Sequence, residues 1–188
     1  MLTKNINLKK FKIKKEKFIK KKFLNFVLNE KNQVINSLSR SYKDNFNKKN
    51  IKHLNKKLDY RIIGMGGSTL GAQAIYDFLK KKIKKNFKFV DNLNVYKSKK
   101  SKINFNNLII SKSGNTIETI ANTNILIKKN DKNLFITEKK NSYLNSLAQK
   151  LKAEVVDHNN YIGGRYSVLS EVGMLPAELM GLNYKKFR

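Results

Sequence analysis

The chain has 188 residues, 40% of them apolar, with 41 Lys and Arg against 13 Asp and Glu for a formal net charge of +28. That length suits one domain of ordinary size, or one domain plus a small appendage. The absence of cysteine and the presence of only two histidines, His53 and His158, exclude a disulfide scaffold, a thiolate metal site, a cysteine nucleophile and a histidine-rich metal cage. Arg40, Arg61, Arg165 and Arg188 are the only arginines, so lysine supplies nearly all the charge, and it is spread along the whole chain. A nucleic-acid binder concentrates arginine, whose planar fork reads phosphate and bases bidentately. A solvated, compositionally biased surface is therefore preferred to a functional polyanion patch, and a Lys-rich nucleic-acid-binding protein stays as a rival.

Residues 1–57 read as a helical, Lys-rich arm in which Phe11, Ile19, Phe23, Phe26 and Val27 can share one side. An amphipathic helix lying on a membrane surface has a similar pattern, but Asn and Glu interrupt its later part, and packing against the body of the protein is the preferred role. The longest apolar stretch there, Phe26-Val27-Leu28, falls short of a signal-peptide core, and nothing approaches a membrane span. The expectation is a soluble, cytoplasmic protein with no membrane partner.

From residue 58 to residue 188 the texture is that of a second unit. Tyr60–Ile63 predicts a strand that ends in Gly64-Met65-Gly66-Gly67-Ser68, with Ser68 as a helix cap, and Leu70, Ala74, Tyr76 and Phe78 predict the helix behind it. Phe87–Val90 predicts a second strand. Leu108–Ile110 predicts a third, running into Ser111-Lys112-Ser113-Gly114-Asn115-Thr116 ahead of a helix whose face is Ile117, Ile120, Ala121 and Ile125. Leu134–Thr137 predicts a fourth strand, Leu144, Leu147 and Leu151 a helix, and Val155-Val156 a fifth strand. Strands alternating with helices predict a three-layer α/β/α sandwich around a parallel sheet of about five strands.

In such a sheet, ligands sit where strands end and helices begin. The glycine turn at 64–67 permits close approach of a ligand, and Ser68 adds a hydroxyl. Gly64 and Gly66 fill two positions of a dinucleotide fingerprint and Asp91 stands where a ribose-binding acid belongs, but Thr69 occupies the third glycine position. The second loop is more informative. Ser111, Ser113 and Thr116 place three hydroxyls within six residues at a helix start, where amides and the helix dipole favour an anion. The plainer alternative is a Ser/Thr-rich cap that satisfies its own helix. Two such turns side by side suit a compact phosphorylated sugar better than a dinucleotide. Arg165, in Tyr161-Ile162-Gly163-Gly164-Arg165-Tyr166-Ser167, is an arginine between glycines in a chain that otherwise uses lysine, which points to a need for its fork or its permanent charge.

Three segments in order, residues 63–71, 111–119 and 163–177, resemble the glucose-6-phosphate isomerase (phosphoglucose isomerase) family of the sugar-isomerase fold group. That resemblance implies interconversion of glucose 6-phosphate and fructose 6-phosphate through a cis-enediolate, with no metal or organic cofactor. It also implies that Ser111, Ser113 and Thr116 hold the phosphate with backbone help from Lys112 and Gly114, that Gly67 and Ser68 line the sugar, and that Arg165 stabilises charge on the enediolate oxygens. Asn115 stands in the phosphate-binding segment where the family commonly has Thr. Glu118 matches a position beside the site but is not assigned the base role. The family's glutamate base, ring-opening histidine and late lysine lie beyond the Gly-Gly-Arg segment in a second sugar-isomerase domain, and His158 is not that histidine. The resemblance thus implies an amino-terminal half that is inactive or very weak alone, completed by a second domain and a homodimer. A non-catalytic phosphosugar-binding module of the same fold is the alternative. A second expectation is an exposed apolar face near Met174, Leu175, Leu179 and Met180, where the second domain would dock.

Overall fold

The computed structural model describes residues 17–29, 32–54, 59–93, 104–128 and 131–188. Strands β1 (Asp59–Gly64), β2 (Asn86–Val90), β3 (Asn106–Ile110), β4 (Lys132–Thr137) and β5 (Glu154–Asp157) form one sheet in the order β2-β1-β3-β4-β5, with every pairing parallel. The helices are α1 (Lys17–Asn29), α2 (Gln33–Asn36), α3 (Lys48–Ile51), α4 (Gly67–Leu79), α5 (Ile117–Leu126), α6 (Tyr143–Lys150) and α7 (Glu171–Leu179). All five predicted strands are present, and the α/β class stands.

Side chains alternate across the sheet. Tyr60, Ile62, Leu108, Ile110, Leu134 and Ile136 pack with Ala72 and Ile75 of α4 and with Val172 and Leu175 of α7. Ile63, Ile109 and Phe135 pack on the opposite side with Leu144 and Ala148 of α6 and Ile120 of α5. Both faces are therefore covered, which is why the strands are nearly continuous apolar runs.

Helix faces differ from the expected ones. In α4, Ala72 and Ile75 are buried while Ala74 and Phe78 are exposed. In α5, Ile117 and Ile125 face solvent, and Thr119, Asn122 and Thr123 are buried. Thr123 is accommodated there because its hydroxyl donates to the Thr119 carbonyl. Leu144 of α6 is buried as expected, but Leu151 is exposed.

The apolar face expected near Met174, Leu175, Leu179 and Met180 is buried. Residues 42–54 of the same chain cover it. Phe46, Ile51 and Leu54 enter the core cluster of α7, Tyr42 and Asn45 bond Glu171 at its first turn, and Lys48 meets Glu178 at 2.8 Å. Phe46 also packs on Tyr184, with ring centroids 5.3 Å apart. The end of the Lys-rich stretch is thus core material for the sheet unit. Of the arm, α1 is helical with Phe23, Leu24 and Phe26 exposed, while Phe11 lies outside the described residues. Among the described residues no helix is long and apolar enough to cross a membrane.

Candidate phosphosugar site

The first turn leaves β1 through Gly64. A Cβ there would lie 2.8 Å from the Ile110 carbonyl, so β1 can end this close to β3 only with glycine. Gly66, at φ +56, precedes α4 and is its cap residue; Ser68 lies inside the first turn and does not cap the helix, contrary to expectation. Its hydroxyl is therefore free of the cap role and lines the cavity.

The second loop is built more tightly. The Ser111 amide donates to the Ile136 carbonyl and the Glu138 amide to the Lys112 carbonyl, which fastens the loop to the end of β4. Ser111 Oγ accepts from the Gly114 amide at 3.2 Å and lies 3.0 Å from Thr116 Oγ1, which is 3.4 Å from Ser113 Oγ. The hydroxyls therefore bond to one another and to their own loop. Thr116 precedes α5 but makes no capping hydrogen bond to it, so this is not a cap that satisfies its own helix. The amides of Lys112, Ser113 and Thr116 donate to nothing among the described residues. Free amides at a helix start beside clustered hydroxyls form an anion cradle. Gly114 holds φ +67, and its Cα sits against Ser142 at the start of α6.

Ser68, Ser111, Lys112, Ser113 and Thr116 line one open cavity of about 410 Å³, together with Glu138 and Lys140. Both expected phosphate-type turns thus meet at a single site. Glu138 and Lys140 escaped the sequence reading; the available signal was their place just past the end of β4. Burial would raise the Glu138 carboxyl, but its hydrogen bond to Lys140 and the charges of Lys140 and Lys112 hold it below its ordinary value. Glu138 is therefore an anion paired with two ammonium groups, at 3.6 Å from Lys112 and in tight contact with Lys140.

Four predicted residues, Gly67, Gly114, Asn115 and Arg165, do not line that cavity. The Asn115 side-chain carbonyl accepts from the Tyr143 amide at 2.8 Å and so caps α6. The neighbouring Gly114 carbonyl accepts from Leu144, so this side of the loop is committed to α6. Arg165 sits on the short 3-10 turn Gly164–Leu169; it is exposed, does not line the cavity, and its guanidinium makes no hydrogen bond or ion pair among the described residues. A guanidinium with no protein acceptor within reach keeps its hydration. Its segment nevertheless touches the first turn: Ser167 Oγ donates to the Gly67 and Gly164 carbonyls at 3.2 and 2.7 Å. His158 is buried at the end of β5 beside a neighbouring cavity, and desolvation pushes its imidazole below the ordinary value.

A family model for phosphoglucose isomerase matches residues 22–188. The chain belongs to the phosphoglucose isomerase family. It is 37% identical over 163 residues to a glucose-6-phosphate isomerase of Methanocaldococcus jannaschii, covering 77% of this chain and 38% of that protein. It is also 37% identical over 147 residues to one of Borreliella afzelii, covering 67% of this chain and 28% of that protein. The chain therefore spans well under half the length of these curated relatives. Among solved structures, a hypothetical protein of Thermus thermophilus superimposes with a TM-score of 0.64 at 19% identity, over 88% of this chain and 43% of that one, a likeness of fold. The family match takes in the β1–α4 turn, the hydroxyl loop and the Gly-Gly-Arg segment together.

Proposed function

We propose that this chain carries the phosphosugar-binding half-site of a glucose-6-phosphate isomerase, whose reaction moves a proton between C2 and C1 of glucose 6-phosphate and fructose 6-phosphate. In this reading the Ser111, Ser113 and Thr116 hydroxyls and the free amides of the loop hold the phosphoryl group, while Gly67 and Ser68 line the attached sugar. Lys112 and Lys140, only partly offset by Glu138, leave the cavity net cationic. Arg165, freely solvated beside the Gly67 turn, would swing toward the sugar and stabilise the negative charge that develops on the enediolate oxygens. A guanidinium does this without surrendering a proton.

The observation that carries the reading is the convergence of Ser68 with Ser111, Ser113 and Thr116 on one cavity beside amides that lack partners. Proton transfer needs a base within hydrogen-bond reach, worth about 10²- to 10⁴-fold. The one carboxylate lining this cavity, Glu138, is committed to two lysines. That commitment favours a second reading, binding without turnover by this chain alone, with a further sugar-isomerase domain and a homodimer supplying the rest. Calorimetric titration with glucose 6-phosphate, paired with a coupled turnover assay, tests both. Saturable binding with negligible turnover is expected; absence of binding overturns the phosphosugar site, and turnover at an ordinary enzymatic rate overturns binding without turnover.

A further inference from the structure

We propose that Lys112 is a positioning residue that couples the phosphoryl cradle to the placement of Arg165; this rests on the phosphosugar reading above. From the end of β5, the chain runs back across the carboxyl ends of the strands to the turn after β1. The His158 amide bonds Thr137 at the β5 side, and Gly164 lies against Gly67 at the other. Between these ends, Asn159 Nδ2 donates to the Tyr42 hydroxyl at 2.7 Å, which holds the connection to the segment ahead of α3. On the cavity side, the tie to the hydroxyl loop is Lys112, whose Nζ donates to the Asn160 carbonyl at 2.5 Å.

An ammonium has three N–H donors and no acceptor. In Lys112 one goes to Asn160, another faces Glu138, and a third remains for an anion in the cavity that Lys112 also lines. A phosphoryl oxygen there and the carbonyl five residues before Arg165 would thus share one cation. Glu138 faces the Lys112 ammonium at 3.6 Å and its own amide bonds the Lys112 carbonyl, so main chain and side chain of Lys112 are both held by the residue that follows β4. Binding that orders Lys112 must order the connection as well, and by linkage a fixed connection must favour the anion.

The connection carries its own reporters, because the Ile162 amide bonds the Asn159 carbonyl and the Tyr166 amide bonds the Gly163 carbonyl. Amide hydrogen exchange at these two positions is measured in the unmutated chain and in Lys112→Met, with and without inorganic phosphate, with cradle occupancy followed by calorimetry. Without ligand, Lys112→Met is expected to speed exchange at both by roughly fivefold or more. Saturating phosphate is expected to slow exchange at both in the unmutated chain and to leave the variant unchanged. Equal ligand-free exchange in the two proteins overturns the proposal, as does equal phosphate protection. Phosphate that binds the unmutated chain without altering either amide also overturns it while leaving the cradle standing. Failure of both phosphate and glucose 6-phosphate to bind the unmutated chain removes the phosphosugar reading itself, and the coupling with it.

Discussion

Gly67 and Gly164 touch backbone to backbone: a Cβ built on Gly67 would lie 2.2 Å from the Gly164 carbonyl oxygen and 2.4 Å from its carbon. This contact brings the Arg165 segment to the start of α4, with Ser167 Oγ bridging the carbonyls of both glycines. The relation is asymmetric, since a Cβ on Gly164 would meet nothing nearer than the Gly67 Cα at 4.0 Å.

Gly67→Ala is therefore expected to destabilise the fold by about 1–3 kcal/mol, because backbone rather than a flexible side chain must move. Gly164→Ala is expected to fall within about 0.5–1 kcal/mol of the unmutated chain, a glycine-to-alanine change without a clash. Urea denaturation of the two variants measures the difference, and equal midpoints would contradict the close contact.

Gly114 combines a positive φ of +67 with the Ser142 hydroxyl 2.2 Å from where a Cβ would stand. Gly114→Ala should cost about 1–2 kcal/mol for the left-handed backbone alone, and more for the displaced Ser142 cap. Gly66 has open space around it, but at φ 56 and ψ −122 it lies outside the left-handed helical well, so Gly66→Ala is expected to be destabilising through the backbone alone. Thermal melts of both alanine variants should fall below that of the unmutated chain.

Asp44 and Arg188 form a two-pronged pair, Nη1 to Oδ2 at 2.9 Å and Nη2 to Oδ1 at 2.6 Å, with side chains only 7% and 4% exposed. Removing one partner strands a buried charge. Asp44→Ala is expected to lose about 3–5 kcal/mol in equilibrium unfolding, far beyond the 1 kcal/mol or so of an exposed ion pair.

His158 sets an acid-side dependence. Its folded pKa is depressed by burial below 6.5, so on acidification the unfolded chain takes up a proton that the folded one refuses. Stability should fall as pH drops below 6.5, by at most about 1.4 kcal/mol per pH unit from this group, and level off below the folded value. Its contribution is fully present above 6.5. His158→Asn should flatten that limb when unfolding free energies are compared across pH 5 to 7.5.

Ser111 Oγ serves the Gly114 amide as well as the cavity. Ser111→Ala removes one of two acceptors of that amide, which keeps the Ser111 carbonyl at 3.2 Å, so the expected cost is about 0.5–1.5 kcal/mol, and it removes one hydroxyl from the cavity. Thr116→Val keeps the shape, and its hydroxyl accepts from no backbone amide of α5. It should weaken glucose 6-phosphate binding by roughly tenfold with little loss of stability. Parallel calorimetry and melts separate the two effects.

The architecture and the clustering of hydroxyls at 111–116 were legible from the chain alone. Each β-strand is a short apolar run that ends at a turn, and the hydroxyls of 111–116 are neighbours along the chain, so local periodicity and turn chemistry suffice to define them. What touches what across the fold was not. Asn115 reads as one more polar group of the loop until α6 brings the Tyr143 amide to it. Glu138 and Lys140 enter the cavity because β4 lies next to β3, and Ile117 and Ile125 of α5 face water because Thr119, Asn122 and Thr123 take the buried side beside Ile120.

The succession of strands, the two strand-to-helix turns and the family therefore followed from the residues themselves, since those features depend on neighbours within a few positions. Burial of α7 under residues 42–54, the solvated position of Arg165 and the bridge from Lys112 to Asn160 were decided only in three dimensions. They arise between groups about 50 or more residues apart, or from competition between a protein partner and water, which no local pattern records.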